Sequence, residues 1–179
     1  QTNVTYFPLG EEQFAEMKNR LREAKRFIFI EYFIIAPGKM WNEFLEILIE
    51  RARAGVEVRL MYDGFGTKFF STGDFLKIAK QHHIQCRCFN PFRPLLSSAQ
   101  NNRDHRKILV IDGNIAFNGG TNLADEYINE KVRFGHWKDT AIMLEGAAVW
   151  SYTMMFLQLW NMNNPNKKEA YNQYRPTYL

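Results

Sequence analysis

The sequence predicts an α/β fold: a mixed β-sheet flanked by helices on both faces. Three observations carry this. Segments with helical spacing of apolar residues alternate with short apolar runs. The early order strand, helix, strand predicts a parallel, right-handed crossover. Farther on, Asp112-Gly113-Asn114 separates two apolar runs, which adds an antiparallel pair and makes the sheet mixed.

Residues 11–25 read as a helix, with Phe14, Met17 and Leu21 as its stripe and Glu11 and Glu12 suiting its positive N-terminal end. Residues 26–35 form a strand rich in Phe and Ile, broken at Pro37-Gly38. Residues 40–54 are a second helix, with Trp41, Phe44, Leu45, Leu48 and Ala52 on one side and Gly55 as its stop signal. Residues 56–62 are the next strand, followed by a loop holding Asp63, Phe65, Phe69 and Phe70. A helix over 74–82, capped by Ser71 or Thr72, leads to a strand over 84–89. Residues 91–103 read as irregular. Residues 107–112 and 115–117 form a hairpin, and 125–137 carry no clear period. A strand over 140–144 precedes a helix over 147–161, with Val149, Tyr152, Phe156 and Trp160 available to a core. Residues 1–162 make one domain, and 163–179, rich in Asn, Lys and Tyr, read as a linker.

The hairpin concentrates the chemistry. Side chains two apart on a strand share a face, so His105 and Lys107 point the same way. Imidazole is nucleophilic and titrates near neutral pH, which suits attack on a phosphodiester. The transition state spreads negative charge over phosphoryl oxygens. Lys107 supplies a fixed cation. Asn122 and the N–H groups of Gly119 and Gly120 supply neutral donors, the glycines also letting backbone come close to a phosphate. Neither a metal nor a cofactor is needed. Asp112 follows Lys107 by five residues, so parity places it on the opposite face, as a structural residue serving turn amides or a buried cation. Arg103 and Arg106 flank the histidine, either as a positive rim for substrate or in ion pairs. Glu31 interrupts an apolar strand, and Asp63 ends one. Both are expected near a polar cleft.

The pattern His105-x-Lys107-(four residues)-Asp112-(six residues)-Gly119-Gly120-x-Asn122 resembles the signature of the phospholipase D superfamily. Asn101 to Lys107, Gly119 to Tyr127, Trp137-Lys138-Asp139-Thr140, Glu31-Tyr32-Phe33 and Phe89-Asn90-Pro91 are similar to its bacterial cardiolipin synthase branch. The resemblance implies transfer of a phosphatidyl group between two phosphatidylglycerol molecules through a phosphohistidine. It also implies that Asp139 holds the histidine tautomer, as a triad carboxylate does. The family builds one site from two such motifs, and this chain holds one. His136-Trp137-Lys138 begins a second His-x-Lys, but Met143 stands where Asp is required. A single rigid hairpin does not readily supply both a nucleophile and a leaving-group acid on opposite sides of phosphorus. The expected complement is a second phospholipase D-like domain of the same chain, or a homodimer partner sharing the site across an axis.

Composition bounds the partners. The 179 residues fit one domain, and 46% apolar content is enough for a core. A net charge of +4 suits an anionic partner, here an anionic phospholipid at a membrane surface. Nucleic acid is the less favoured partner, although a dimeric phosphodiesterase or nuclease is the rival enzyme. The third reading is an anionic-lipid-binding fragment without activity. Cys86 and Cys88 stand too close for a structural disulfide and imply a reducing compartment. The longest mainly apolar run, residues 27–36, contains Glu31 and is far short of the ~20 residues a membrane helix needs. The resemblance places the longer protein on the cytoplasmic face of a bacterial cell membrane, with anchors upstream of Gln1 and this chain itself soluble. The loop with Phe65, Phe69 and Phe70 is a candidate for contact with lipid.

Overall fold

A computed structural model describes residues 1–67, 72–91, 102–162 and 169–177. Its centre is a seven-stranded mixed sheet, in the order β1 (Thr2–Phe7), β7 (Ala141–Gly146), β6 (Ile115–Gly119), β5 (Ile108–Ile111), β2 (Phe27–Tyr32), β3 (Glu57–Asp63), β4 (Gln85–Phe89). β2, β3 and β4 run parallel, as the strand–helix–strand order requires. The other neighbours are antiparallel, including the β5–β6 hairpin.

Alternation along the strands builds two cores. Ile28, Ile30 and Tyr32 of β2 join Val58 and Leu60 of β3 and Leu109 and Ile111 of β5 on one face. Helices α1 (Gly10–Arg22) and α2 (Lys39–Arg53) cover that face through Phe14, Met17, Leu21, Met40, Trp41, Phe44, Ile47 and Leu48. Helix α3 (Thr72–Gln81) adds Ala79. On the other face Phe27, Phe29, Met61, Ile108 and Val110 meet helix α4 (Val149–Asn161) through Val149, Phe156, Leu157 and Trp160. The helices thus lie on both faces, three against one. Gly55 ends α2 as expected: with φ +90° it lets Gly55 N–H donate to Ala52 O and Val56 N–H to Arg51 O.

Two elements differ from the sequence expectation. Strand β1 was not foreseen. It pairs only with β7 and leaves Val4 and Tyr6 exposed, so it buries little of the apolar pattern that marks a strand. Residues 169–177, expected within a linker, instead dock on the α4 face. Arg59 Nη1 and Nη2 lie 3.1 and 2.5 Å from the Glu169 carboxylate. Tyr174 packs edge-on against Phe27 and Phe29, and its hydroxyl accepts from Arg59 at 2.7 Å. Arg26 donates to the carbonyls of Gln173 and Arg175. Isolated anchors hold this tail, and these leave no periodic signature. Hydrogen bonds from Arg59, Asn161 and Tyr174 overcome the burial that would raise the Glu169 pKa and hold it down at about 2.

The hairpin turn is fastened by Asp112. Asp112 and Gly113 both have positive φ, 55° and 72°, which Asp tolerates and Gly favours. The Asp112 carboxylate accepts the N–H groups of Lys25, Arg26 and Phe27 at 2.9, 2.7 and 3.0 Å. Its own N–H donates to Phe27 O at 2.9 Å. The motif aspartate thus welds the hairpin tip to the start of β2, at the opposite end of β5 from His105. Asp112→Ala would strip three amides of their acceptor and should cost about 2–3 kcal/mol of stability. Urea unfolding measures it, and a loss below ~0.5 kcal/mol would show that water replaces the carboxylate freely.

Candidate active site

Residues 102–107 lead into β5 at the end of the sheet away from Asp112. The parity of β5 sets which way each side chain faces. Lys107 shares the face of Leu109 and Ile111, the side covered by α1 and α2, and His105 follows it. Asp104 and Arg106 turn to the α4 face.

On the front, His105 is exposed, and its ring rests on Phe33 with centroids 4.7 Å apart. Among the described residues no hydrogen bond fixes the imidazole. Lys107 is buried, its Nζ donating to His105 O at 2.6 Å and lying 5.5 Å from the same Phe33 ring. Burial lowers the Lys107 pKa, against the pull of Asp104 and Asp139. Asn122 is buried on the loop after β6, and its Oδ1 accepts Ile34 N–H at 2.9 Å. Phe33, just past β2, therefore gathers His105 and Lys107, and its neighbour Ile34 ties Asn122 to the same segment. In the sequence Phe33 stood only in the Glu31-Tyr32-Phe33 flank, with no role of its own.

Four expected site residues do other work. Gly120 N–H donates to Thr140 O, so it is committed to the sheet and offers no phosphate cradle. A Cβ on Gly119 would strike Thr140 and Ala141, and one on Gly120 would strike the Asp139 carboxylate. The glycine pair exists to let β7 and Asp139 approach. Arg103 donates to Asn90 O at 2.9 Å and lies 3.4 Å from Asp63, facing inward rather than forming a substrate rim. Glu31 is fully buried on the α4 face, the parity of Phe27 and Phe29, and not in the cleft of His105.

Asp139 is placed by Gly120, and its carboxylate accepts Thr140 N–H at 2.8 Å and Trp137 Nε1–H at 3.4 Å. Among the described residues no hydrogen bond or ion pair joins it to His105. The expected tautomer-holding pair is therefore not formed, and its electrostatic influence falls on Lys107. Asp63 is a loop anchor: it accepts the N–H groups of Phe65, Gly66 and Asp104.

Behind His105 lies a charge cluster. Arg106 Nε lies 2.9 Å from Asp104 Oδ1 and 2.6 Å from Glu31 Oε1. Its N–H is aligned on Asp104, and among the described residues both Glu31 oxygens are buried without a hydrogen bond. Burial first, then the neighbouring Asp104, push the Glu31 pKa up to about 9, against the attraction of Arg106. Two carboxyl groups thus flank one guanidinium, and Glu31 carries the proton at neutral pH.

Comparison with known proteins places this geometry. A family model described as "Cardiolipin synthase, PLD-like domain" matches residues 17–160. The chain belongs to this phospholipase D family. An uncharacterized protein of Streptococcus mutans is 55% identical over 94% of the chain, which covers 37% of that protein. Cardiolipin synthase 2 of Bacillus cereus is 39% identical over 89% of the chain and 31% of the relative. The chain therefore spans about a third of the length of these relatives. Among solved structures, Nuc from Salmonella typhimurium, a phospholipase D family member, superposes with a TM-score of 0.65 at 17% identity, over 90% of this chain and 94% of that one. The phosphatidylserine synthase of Haemophilus influenzae gives 0.69 at 11% identity, over 96% of this chain and 41% of that one. These two likenesses establish the fold. Within this phospholipase D-like domain, the motif's His and Lys meet at Phe33, while its Asp lies at the far end of β5.

The Glu31 proton makes a pH prediction. A folded-state pKa near 9 against an ordinary 4.5 means that the native protein holds an extra proton between those values. The contribution is full below about 4.5 and is lost as pH rises through about 9. Glu31→Gln should remove this slope, so the variant gains on the parent as pH rises across that window. Thermal unfolding from acid to alkaline pH tests it, and parallel curves for the two proteins would refute it.

Proposed function

We propose that this domain is one catalytic half of a phosphatidyltransferase that moves a phosphatidyl group between two phosphatidylglycerol molecules and releases glycerol. One observation carries the proposal: an exposed imidazole without a hydrogen bond among the described residues stands beside a buried lysine, on a shared aromatic floor. A nucleophile needs an open ring, and a phosphoryl transition state needs a cation already stripped of water. Cardiolipin synthase names among the relatives support the lipid substrate. The chain's share of their length supports a complementary domain elsewhere.

In this mechanism a ring nitrogen of His105 attacks phosphorus, and the glycerol oxygen leaves with a proton from an acid on the opposite wall. The hydroxyl of a second phosphatidylglycerol, giving its proton back to that acid's conjugate base, then attacks the phosphohistidine, and the P–N bond breaks to return His105. Lys107 would stabilise the equatorial oxygens, and the Asn122 amide would donate to them. The counterpart histidine of the second domain exchanges roles with His105 if the first attack comes from that side. The site works at a membrane surface, where its substrate resides. A second reading rests on the solved structures: this chain covers 94% of Nuc, so two copies could complete one site as a symmetric dimeric phosphodiesterase. Oligomeric mass, together with nuclease and phosphatidylglycerol assays, separates the two.

Quenching the longer protein during turnover should give a phosphoryl adduct on His105 or on its counterpart in the second domain. Peptide mass spectrometry locates it, and an adduct only on some other residue would end the proposal. Lys107→Ala and Asn122→Ala should each lower phosphatidylglycerol turnover by about 10²–10³-fold, the scale of losing one oxyanion donor. Lys107→Arg should not restore it, because a planar guanidinium does not fit the lysine's buried seat. Near-normal turnover in either alanine variant, at equal folded protein, would remove that residue from the site.

A further inference from the structure

Residues 129–138 form a closed loop at the rim of the site. Asn129 stands at its base with φ 57°. Its side-chain Nδ2 donates to Trp137 O at 3.0 Å and to Glu11 Oε1 at 2.7 Å, while its Oδ1 accepts Trp137 N–H at 2.6 Å. Trp137 packs on Tyr127, with ring centroids 4.6 Å apart. The base of the loop is thus clamped, as in a compact Ω-loop. Yet its tip wastes apolar surface: Val132 is 79% exposed and Phe134 77%. Folding alone gives no reason to fix two large apolar side chains in water.

Two of the cations near the tip, Lys131 and Lys138, are left unpaired among the described residues. Arg133 pairs with Glu126 at 3.0 Å, and Glu130 is neutralised by Lys39 at 2.5 Å. Asp125 accepts the N–H groups of Lys39 and Met40. Exposed apolar tips with unpaired lysines beside them suit the interface of an anionic bilayer, where aromatics sit at headgroup depth and lysines meet phosphates. The placement matches the chemistry. Trp137 touches Asp139, which acts on Lys107. Arg133 lines a cavity of about 360 Å³ together with Phe33, the floor beneath His105, and Phe65, which is 42% exposed.

We propose that the 129–138 loop is a membrane-docking element: Val132 and Phe134 enter the interface of an anionic bilayer, with Lys131 and Lys138 on its headgroups, and this brings the mouth of the site to its lipid. The inference rests on the phosphatidyltransfer reading.

The test is cosedimentation of the chain with two kinds of vesicle: phosphatidylcholine alone, and phosphatidylcholine with about one-third phosphatidylglycerol. The chain should bind the second kind, and added salt should weaken binding. Val132→Ser/Phe134→Ser should bind about ten- to a hundred-fold more weakly, with unchanged thermal unfolding because neither side chain is buried. Lys131→Gln/Lys138→Gln should lose most of the preference for phosphatidylglycerol. Absence of vesicle binding by the parent chain, or equal binding by the serine variant, would overturn the inference. So would a serine variant that instead loses self-association, since the tip would then be a surface between copies. Turnover of a short-chain, micelle-free phosphatidylglycerol by the longer protein tests the underlying reading separately, because that substrate needs no docking.

Discussion

Alternation of side chains along one strand is the constraint from which the site follows. Residues 104–107 precede β5 yet keep its alternation: Arg106 meets Glu31 on one side, while His105 and Lys107 meet Phe33 on the other. His105 and Lys107 therefore share the front, and Asp104 and Arg106 the back. Both sides hold the backbone. In front, the Lys107 ammonium binds the His105 carbonyl. Behind, Arg106 is fixed between Asp104 and Glu31, and Asp104 N–H is held by Asp63. His105 is positioned through its main chain, and its ring stays open. A ring clamped by hydrogen bonds on both nitrogens could not reach phosphorus.

That same alternation was legible in the sequence, which is why the strongest elements were readable. Phe14, Met17 and Leu21 of α1, the parallel β2–β3 pair and the hairpin at Asp112 all follow from period and turn chemistry. The opposite facing of Asp112 also followed from parity, and its carboxylate indeed lies among the amides of residues 25–27. Strand β1 and the docked tail were not legible, for a common reason. Each attaches by a few contacts to a surface that other elements complete, so neither repeats a pattern along its own length. Tyr174 fills a gap between Phe27 and Phe29 that only the folded sheet creates.

The site residues divide along the same line. The juxtaposition of His105 and Lys107 was legible because their spacing is fixed by local chain geometry. The roles of Gly119, Gly120, Glu31 and Asp139 were not, because each depends on what another segment brings up to it. A glycine pair allows close approach, but the sequence does not say of what. Here it is Thr140 and the Asp139 carboxylate. A buried glutamate needs a partner, but parity alone could not show that Arg106 would supply it from the rear. The role of Phe33 escaped notice because its function is to be a surface for two other side chains. Phe69 and Phe70, and nearly all of the 91–103 stretch, lie outside the described residues.

The low identity of the structural neighbours separates the scaffold from the segments around it. At 11–17% identity the sheet still superposes, so the scaffold tolerates almost any sequence that keeps its strands and their parity. A fold shared so widely does not select a substrate. Selection must come from segments free to vary around the fixed hairpin. In this chain two such segments meet at the apolar cavity beside His105: the 63–67 turn, tied to Phe33 by Thr67, and the 129–138 loop. Both are anchored at their bases by side-chain hydrogen bonds to backbone, from Asp63 and Asn129. Their outer residues can therefore change without disturbing His105.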